Sequence, residues 1–399
     1  MRRRWALLTV LVLMLAIGML IRPKDGDELP RVSITADSLT DWIDKKDVRE
    51  AVLTYDDDQR GMHFSIPITI HIQGSSSRKH SKHNFTIKMA QKIEMVPGWG
   101  AHKKYCLKAN YIDPTQACNI VSCRLAAQMQ RAYGLFDAAP NAGLADGFPV
   151  WVTLNGTPAG LYTWNIPKDE WMFGVDKDSE QAMVMFGNSW TRDIIFQAEK
   201  VDYKKGWVLE SGDLTSEKKK RFNRLYRFIR DASDEEFRAN FDRYLDLDAC
   251  LNYYCFCCVS FAEDNLGKNM ILVTYDGEIW MPSLYDLDSL WGVSWKGTCP
   301  EESAIDVVLE SKGLLRRLRD CFPDELNARY AELRGSVLSV DNIHAEFERF
   351  RDEIPQEYYD MDWEMWNPEG KYIRTYELMY ELLDDYLPTV DSFFGYTSE

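Results

Sequence analysis

The hydrophobic positions of this chain change period near its middle. Between Gly61 and Met89 they alternate: Ile66, Ile68, Ile70 and Ile72 recur at every second residue, and Phe85, Ile87 and Met89 do so again, which predicts a ribbon of two strands. Tyr105 to Ala109 reads as a third strand, leading through Asp113-Pro114 into a helix from about Thr115 to Gln130 that stops at Tyr133-Gly134. Val150, Val152 and Leu154 precede Asn155-Gly156, and Leu161, Tyr162 and Trp164 follow it. Asn-Gly accepts the positive φ of a tight turn, so this stretch predicts a hairpin. Met183 to Phe186 adds a short apolar strand. From Thr215 the spacing becomes helical: Ser216 to Ala232 is basic and amphipathic, and a second helix begins at Ser233, whose hydroxyl pairs with Glu236 as a cap, and runs to about Tyr244. Leu247, Leu251, Tyr254, Cys255, Cys258 and Val259 mark a buried helix, and helices fill most of residues 304 to 394.

Directly after the buried helix come Glu263, Asp264, Asn265, Leu266, Gly267, Lys268 and Asn269, then a second hairpin in which Met270 to Tyr275 and Glu278 to Leu284 flank Asp276-Gly277, then Tyr285-Asp286-Leu287-Asp288. With the turn centred between 276 and 277, Asn269 lies opposite Leu284. Asp286 then falls beside Gly267 and Lys268, within reach of Asp264 and Asn269. Such oxygens suit Mg²⁺, which takes one or two carboxylates, keeps several waters and shares phosphate oxygens. Asp264 and Asn269 are also separated as the catalytic-loop Asp and metal-binding Asn of protein kinases are, with a later Asp as second ligand. In that role Asp264 is the catalytic base or orienting carboxylate, and Asn269, Asp286 and Asp288 are the metal ligands.

Composition narrows the partners. A 399-residue chain with 45% hydrophobic and 28% charged residues is a folded protein, and a formal charge of −16 spread along it argues against nucleic acid, which needs clustered Lys and Arg. One loop departs from this acidic background. Gln73-Gly74-Ser75-Ser76-Ser77-Arg78-Lys79-His80-Ser81-Lys82-His83 is small, hydroxyl-rich and basic, which suits a phosphate, although a solvated hairpin loop has the same composition. Nine cysteines, with Cys255, Cys257 and Cys258 crowded on one helix, read as buried thiols rather than as a disulfide framework or zinc site.

Met1-Arg2-Arg3-Arg4 and the apolar run Trp5 to Ile21 predict a signal anchor over residues 1–25, with the remainder outside the cytoplasm, or secreted if the signal is cleaved. Residues 26–60 read as a linker and the start of an N-lobe, 61–190 as a strand-rich N-lobe, and 191–399 as a mainly helical C-lobe carrying the acidic site. The fold class expected is α+β.

Four blocks resemble the CotH kinase family, related to spore coat protein H, over about residues 60 to 295. Gln73 to Ser77 with Lys82 and the strand Phe85-Thr86-Ile87-Lys88 is similar to the first block. Leu107-Lys108-Ala109-Asn110-Tyr111 with Asp113 and Asn119 is similar to the second, Leu154 to Tyr162 to the third, and Asp264, Asn269 and Tyr285 to Asp288 to the acidic signature. The resemblance implies an atypical protein-kinase-like two-lobed fold. It also implies ATP- and Mg²⁺-dependent phosphorylation of protein Ser or Thr hydroxyls, with Ser75, Ser76, Ser77, Arg78, Lys82 and Lys88 contacting the nucleotide. Ile166 stands where the family often has a Glu that partners the nucleotide-binding Lys. That departure motivates an alternative, a membrane-tethered, non-catalytic kinase-like binding module. A third reading, glycoside hydrolysis by Asp264 and Asp286 among tryptophans, requires two acids facing one sugar.

Overall fold

A computed structural model describes residues 28–75, 77–188, 196–210, 212–299 and 304–397. The expected anchor and Ser76 lie outside the described residues. Seven strands form a closed barrel: β1 (Arg31–Thr35), β2 (Arg49–Asp57), β3 (Met62–Gln73), β4 (Asn84–Ile93), β5 (His102–Lys108), β6 (Gly147–Leu154) and β7 (Thr157–Asn165). Their order is β1-β2-β3-β4-β5-β7-β6, and closure comes from parallel pairing of β6 with β1, with Val32 beside Val152 and Ile34 beside Leu154. The alternation seen in sequence points Ile70, Ile87, Tyr105 and Val150 inward. Trp164 sits among Tyr55, Tyr105 and Phe148 with ring centroids 5.3 to 6.5 Å away.

This corrects the expected fold. Among the described residues there is no kinase-like two-lobed arrangement; a closed seven-stranded barrel occupies the first half and helices dominate the second. The physical reason lies in β1 and β2. Residues 26–60, expected as linker and start of a lobe, contribute the strand that removes the sheet's free edge, with Val32 and Ile34 buried inside.

A second sheet follows, in the order β11-β10-β8-β9, built from β8 (Met183–Gly187), β9 (Trp207–Leu209), β10 (Ile271–Thr274) and β11 (Met281–Ser283). Helix α1 (Cys118–Ala132) lies between β5 and β6 in sequence, and α2 (Ser216–Asp231), α3 (Asp234–Asn240) and α4 (Leu247–Ser260) precede the hairpin. Ser233 caps α3 by accepting the Glu236 N–H at 3.1 Å, as its sequence predicts. Every residue of α4 from Ala249 to Ser260 is buried, so its apolar character continues around the whole helix. The remaining helices are α5 (Ala304–Leu309), α6 (Leu314–Cys321), α7 (Pro323–Arg334), α8 (Val340–Asp352), α9 (Gln356–Trp366) and α10 (Tyr376–Phe393). Among the described residues, no helix is long and apolar enough to cross a membrane. All nine cysteines are free thiols, eight of them buried.

Candidate active site

The site forms where the outer face of the barrel meets the small sheet. On β5, Tyr105 and Leu107 point into the barrel, so Lys104, Cys106 and Lys108 point out. Outward residues of a barrel are normally solvated, yet Cys106, Thr86, Thr163 and Asn165 on this face are buried, because the second half of the chain covers it. Lys88 pairs in register with Lys104 on the same face and is exposed, one strand away from the covered strip.

The hairpin that carries the acids is shifted by one residue from expectation. Ile271 pairs with Ser283 and Val273 with Met281. Asp276 does not sit in a two-residue turn: its carboxylate accepts the N–H groups of Glu278 and Ile279 at 2.7 and 2.9 Å and the Thr274 hydroxyl at 3.0 Å, closing a longer loop. Hydrogen bonds tie the two ends of the hairpin at its base. Asn269 donates its N–H to the Gly187 carbonyl at 2.9 Å, at the end of β8, and Asn265 donates to the Tyr285 carbonyl at 2.9 Å. Asn269 and Asp286 both hold left-handed backbone, φ 67° and 59°, a conformation that Asn and Asp tolerate best and that recurs at functional sites.

Around Asp286 the charges interlock. Lys108 Nζ lies 3.6 Å from its carboxylate and 5.9 Å from the Tyr285 ring. Lys168 lies over Phe186 at 3.3 Å and 5.0 Å from Tyr285, and pairs with Glu210 at 3.0 Å. Burial opposes the charged form of Lys108, but Tyr285, Asp286 and Asp288 outweigh it and raise its pKa. Lys168 goes the other way, lowered by burial despite Glu210. Burial first, and then the neighbouring Asp286 carboxylate, push Asp288 up to about 7, although the Ser289 hydroxyl donates to it at 2.9 Å.

Asp264 stands on the short 3₁₀ turn Glu263–Leu266 and accepts from Lys268 Nζ at 3.4 Å. It lines a cleft of about 330 Å³, open to solvent, with Phe261, Glu263, Ser289 and Gly292 to Trp295. Ser289 therefore joins the two places, facing the Asp264 cleft and touching Asp288. Among the described residues, no three His, Cys, Asp or Glu side chains form a ready metal cluster; of the expected ligands, Asp286 and Asp288 are electrostatic neighbours, and Asn269 is buried.

The Ser-rich loop is tied to the end of β5, where Ala109, next to Lys108, donates its N–H to Asn84 Oδ1 at 2.6 Å. Ser77–Lys79 is a 3₁₀ turn, and the Asn84 amide donates to the Ser77 hydroxyl at 3.5 Å. A Cβ on Gly74 would come within 2.0 Å of that hydroxyl, and Gly74 has φ 106°, so the loop needs glycine there. Gln73 Oε1, Arg78 Nε and His83 Nδ1 are buried without hydrogen-bond partners. Lys82 is buried and fully engaged. Its ammonium donates to the Leu161 carbonyl at 2.6 Å and to both Asp362 oxygens at 2.7 and 3.0 Å. The carboxylate missing at Ile166 thus arrives from α9, 280 residues away. Lys82 and Asp362 border a second pocket of about 290 Å³ that includes Tyr111, Tyr359, Trp363 and Trp366.

Lys168, Glu210 and Asp362 carry no spacing signal in the sequence, whereas the alternation of Lys104, Cys106 and Lys108 against Tyr105 and Leu107 already sets these three on one face. A sequence model of the family described as CotH kinase protein matches residues 70–388. No curated protein matches the chain.

Proposed function

Because the chain belongs to the CotH kinase protein family, we propose that it transfers the γ-phosphoryl group of ATP to a Ser or Thr hydroxyl of a protein. In this reading Asp286 and Asp288 hold Mg²⁺ with help from Asn269, Lys108 faces the phosphates, and Asp264 receives or orients the acceptor hydroxyl. Membership supports a kinase-like function and a protein substrate; the assignment of ATP, Mg²⁺ and individual residues is our own. The donor set fits the ion, since Mg²⁺ needs only one or two carboxylates beside water and phosphate oxygens. When bound, the ion would neutralise phosphate charge.

This chain's residues supply the rest. Lys108, kept protonated by its acidic surroundings, offers a fixed positive charge beside Asp286. The acceptor oxygen forms its bond to the γ-phosphorus as the bond to the β,γ-bridging oxygen breaks. ADP leaves, and the hydroxyl proton passes to Asp264 or to water in the open cleft. The single observation that carries the reading is the Lys108–Asp286–Asp288 group. Two neighbouring acids, one pushed up to about 7, form a site whose excess negative field a cation relieves. Ile166 does not leave Lys82 without a carboxylate, since Asp362 pairs with it at 2.7 Å. The same proposal keeps residues 5–21 as a tether and the folded part outside the cytoplasm, which protease treatment of intact cells tests.

The direct test is thermal stabilisation by ATP with Mg²⁺. Wild type should gain stability only with both present, and Asp286→Ala and Lys108→Met should gain none. Equal gains in all three would overturn the assignment.

A further inference from the structure

The acidic segment is held from behind by one side chain that the family-type reading does not use. Arg374 lies between α9 and α10 and is 1% exposed. Its Nη1 donates to the Asp288 carbonyl at 2.8 Å and lies 3.5 Å from the Asp113 carboxylate; its Nη2 reaches the Leu290 and Val293 carbonyls at 3.3 and 3.2 Å. Asp113 in turn accepts the Cys118 N–H at 3.0 Å and the Thr115 hydroxyl at 2.6 Å, fixing the start of α1. From α1 the contacts return to the same segment. Asn119 accepts the Leu287 N–H at 2.9 Å, and Ser122 accepts from the Trp291 indole at 2.8 Å.

We propose that Arg374 is a positioning residue for the metal-binding acids: its fork clamps residues 288–293 against α1 and thereby sets where the Asp286 and Asp288 carboxylates point. The inference rests on the reading of those acids as Mg²⁺ ligands. Three features make it specific to arginine and to this segment. The segment cannot hold its own shape, because Asp286, Trp291 and Gly292 all have left-handed φ of 57 to 74° within seven residues. Its carbonyls at 288, 290 and 293 converge on the two terminal nitrogens of one guanidinium, which also faces Asp113; a lysine ammonium is a single point charge without that planar fork. Arg374 hydrogen-bonds the Asp288 backbone carbonyl rather than its carboxylate, which feels the guanidinium only through its charge. Outer partners of this kind fix ligand direction at metal sites generally.

The test uses the full chain and Mn²⁺ as probe, with free Mn²⁺ followed by electron paramagnetic resonance and folding followed by thermal unfolding. Wild type should bind Mn²⁺ and Asp286→Ala should not. Arg374→Lys should bind about 10- to 100-fold more weakly, and Asp113→Asn, which loosens the clamp from the other side, should weaken it in the same direction. Leu53→Ala, a buried barrel position remote from the clamp, serves as the control that lowers the unfolding temperature alone. Arg374→Lys with wild-type Mn²⁺ affinity, or with a loss no larger than that of Leu53→Ala, overturns the clamp while leaving the metal reading intact. Absence of binding in wild type sinks both, and binding retained in Asp286→Ala sinks the ligand assignment from which the clamp follows.

Discussion

Replacing Asp362 by alanine should destabilise the protein in a way that depends on pH. The side chains of Lys82 and Asp362 are 1% and 10% exposed, and the pair makes three short contacts that include the Leu161 carbonyl. Removing one member of a buried pair leaves an uncompensated charge and costs about 3–5 kcal/mol. Part of that loss is the Leu161 N–H, which donates to Asp362 at 2.8 Å and would lose its acceptor. Burial lowers Lys82 and raises Asp362, so each resists ionisation, and their mutual contact, with the Leu161 N–H on Asp362, opposes that shift. In the variant the Lys82 pKa stays below its unfolded value with no carboxylate opposing the shift. The unfolded chain then binds more protons than the native one between the lowered pKa and about 10.4, so stability rises with pH across that window. Urea unfolding at 25 °C should therefore show a deficit of about 4 kcal/mol at pH 7 that shrinks by pH 10. Lys82→Met with Asp362→Leu should regain about half of it, since both charges disappear together. A deficit under about 1 kcal/mol, or one identical at the two pH values, would refute the picture of a dry, mutually dependent pair.

Further outcomes follow from the same geometry. Gly160→Ala should cost at least about 1–3 kcal/mol, because Gly160 has φ 100° and a Cβ there would meet Asp362 Oδ1 at 2.2 Å; thermal unfolding reads this. Asp288, pushed up to about 7, should make Mg²⁺ affinity rise as pH increases to about 7 and then level off, since a protonated carboxyl must lose its proton to the ion; calorimetric titration at pH 6, 7 and 8 checks it. Lys108→Met should lower phosphoryl transfer by about 10²- to 10³-fold with intact folding, whereas the double Lys82/Asp362 variant should keep nucleotide binding; steady-state kinetics with circular dichroism separates the two.

What the sequence disclosed and what it hid divide along the length of the interactions. The β3–β4 and β6–β7 ribbons, the Ser233 cap and the buried α4 are local, and their alternation, turn chemistry or spacing stands in a short window; Asn155 and Gly156 take φ 49° and 76°, as the Asn-Gly turn requires. The barrel was not legible, because its closing contact is a parallel pairing between Val32 and Val152, 120 residues apart, which leaves no periodic trace. The two-lobed expectation rested on resemblance over about residues 60 to 295, whereas the strands β1 and β2 that close the barrel precede that range. The hairpin itself was legible, while its register was off by one because a side chain, Asp276, rebuilt the loop. Asp362 and Arg374 reach their partners across 280 and 86 residues respectively, and no spacing rule connects such pairs.

The measurement closest to the central claim is transfer of label from [γ-³²P]ATP by the full chain, to itself or to casein, with ADP release read in parallel. The account predicts Mg²⁺-dependent transfer that disappears in Asp286→Ala and falls steeply in Asp264→Asn, with both variants folded. Transfer that survives in Asp286→Ala or without a divalent cation, or a folded wild type that neither labels an acceptor nor releases ADP, would contradict it.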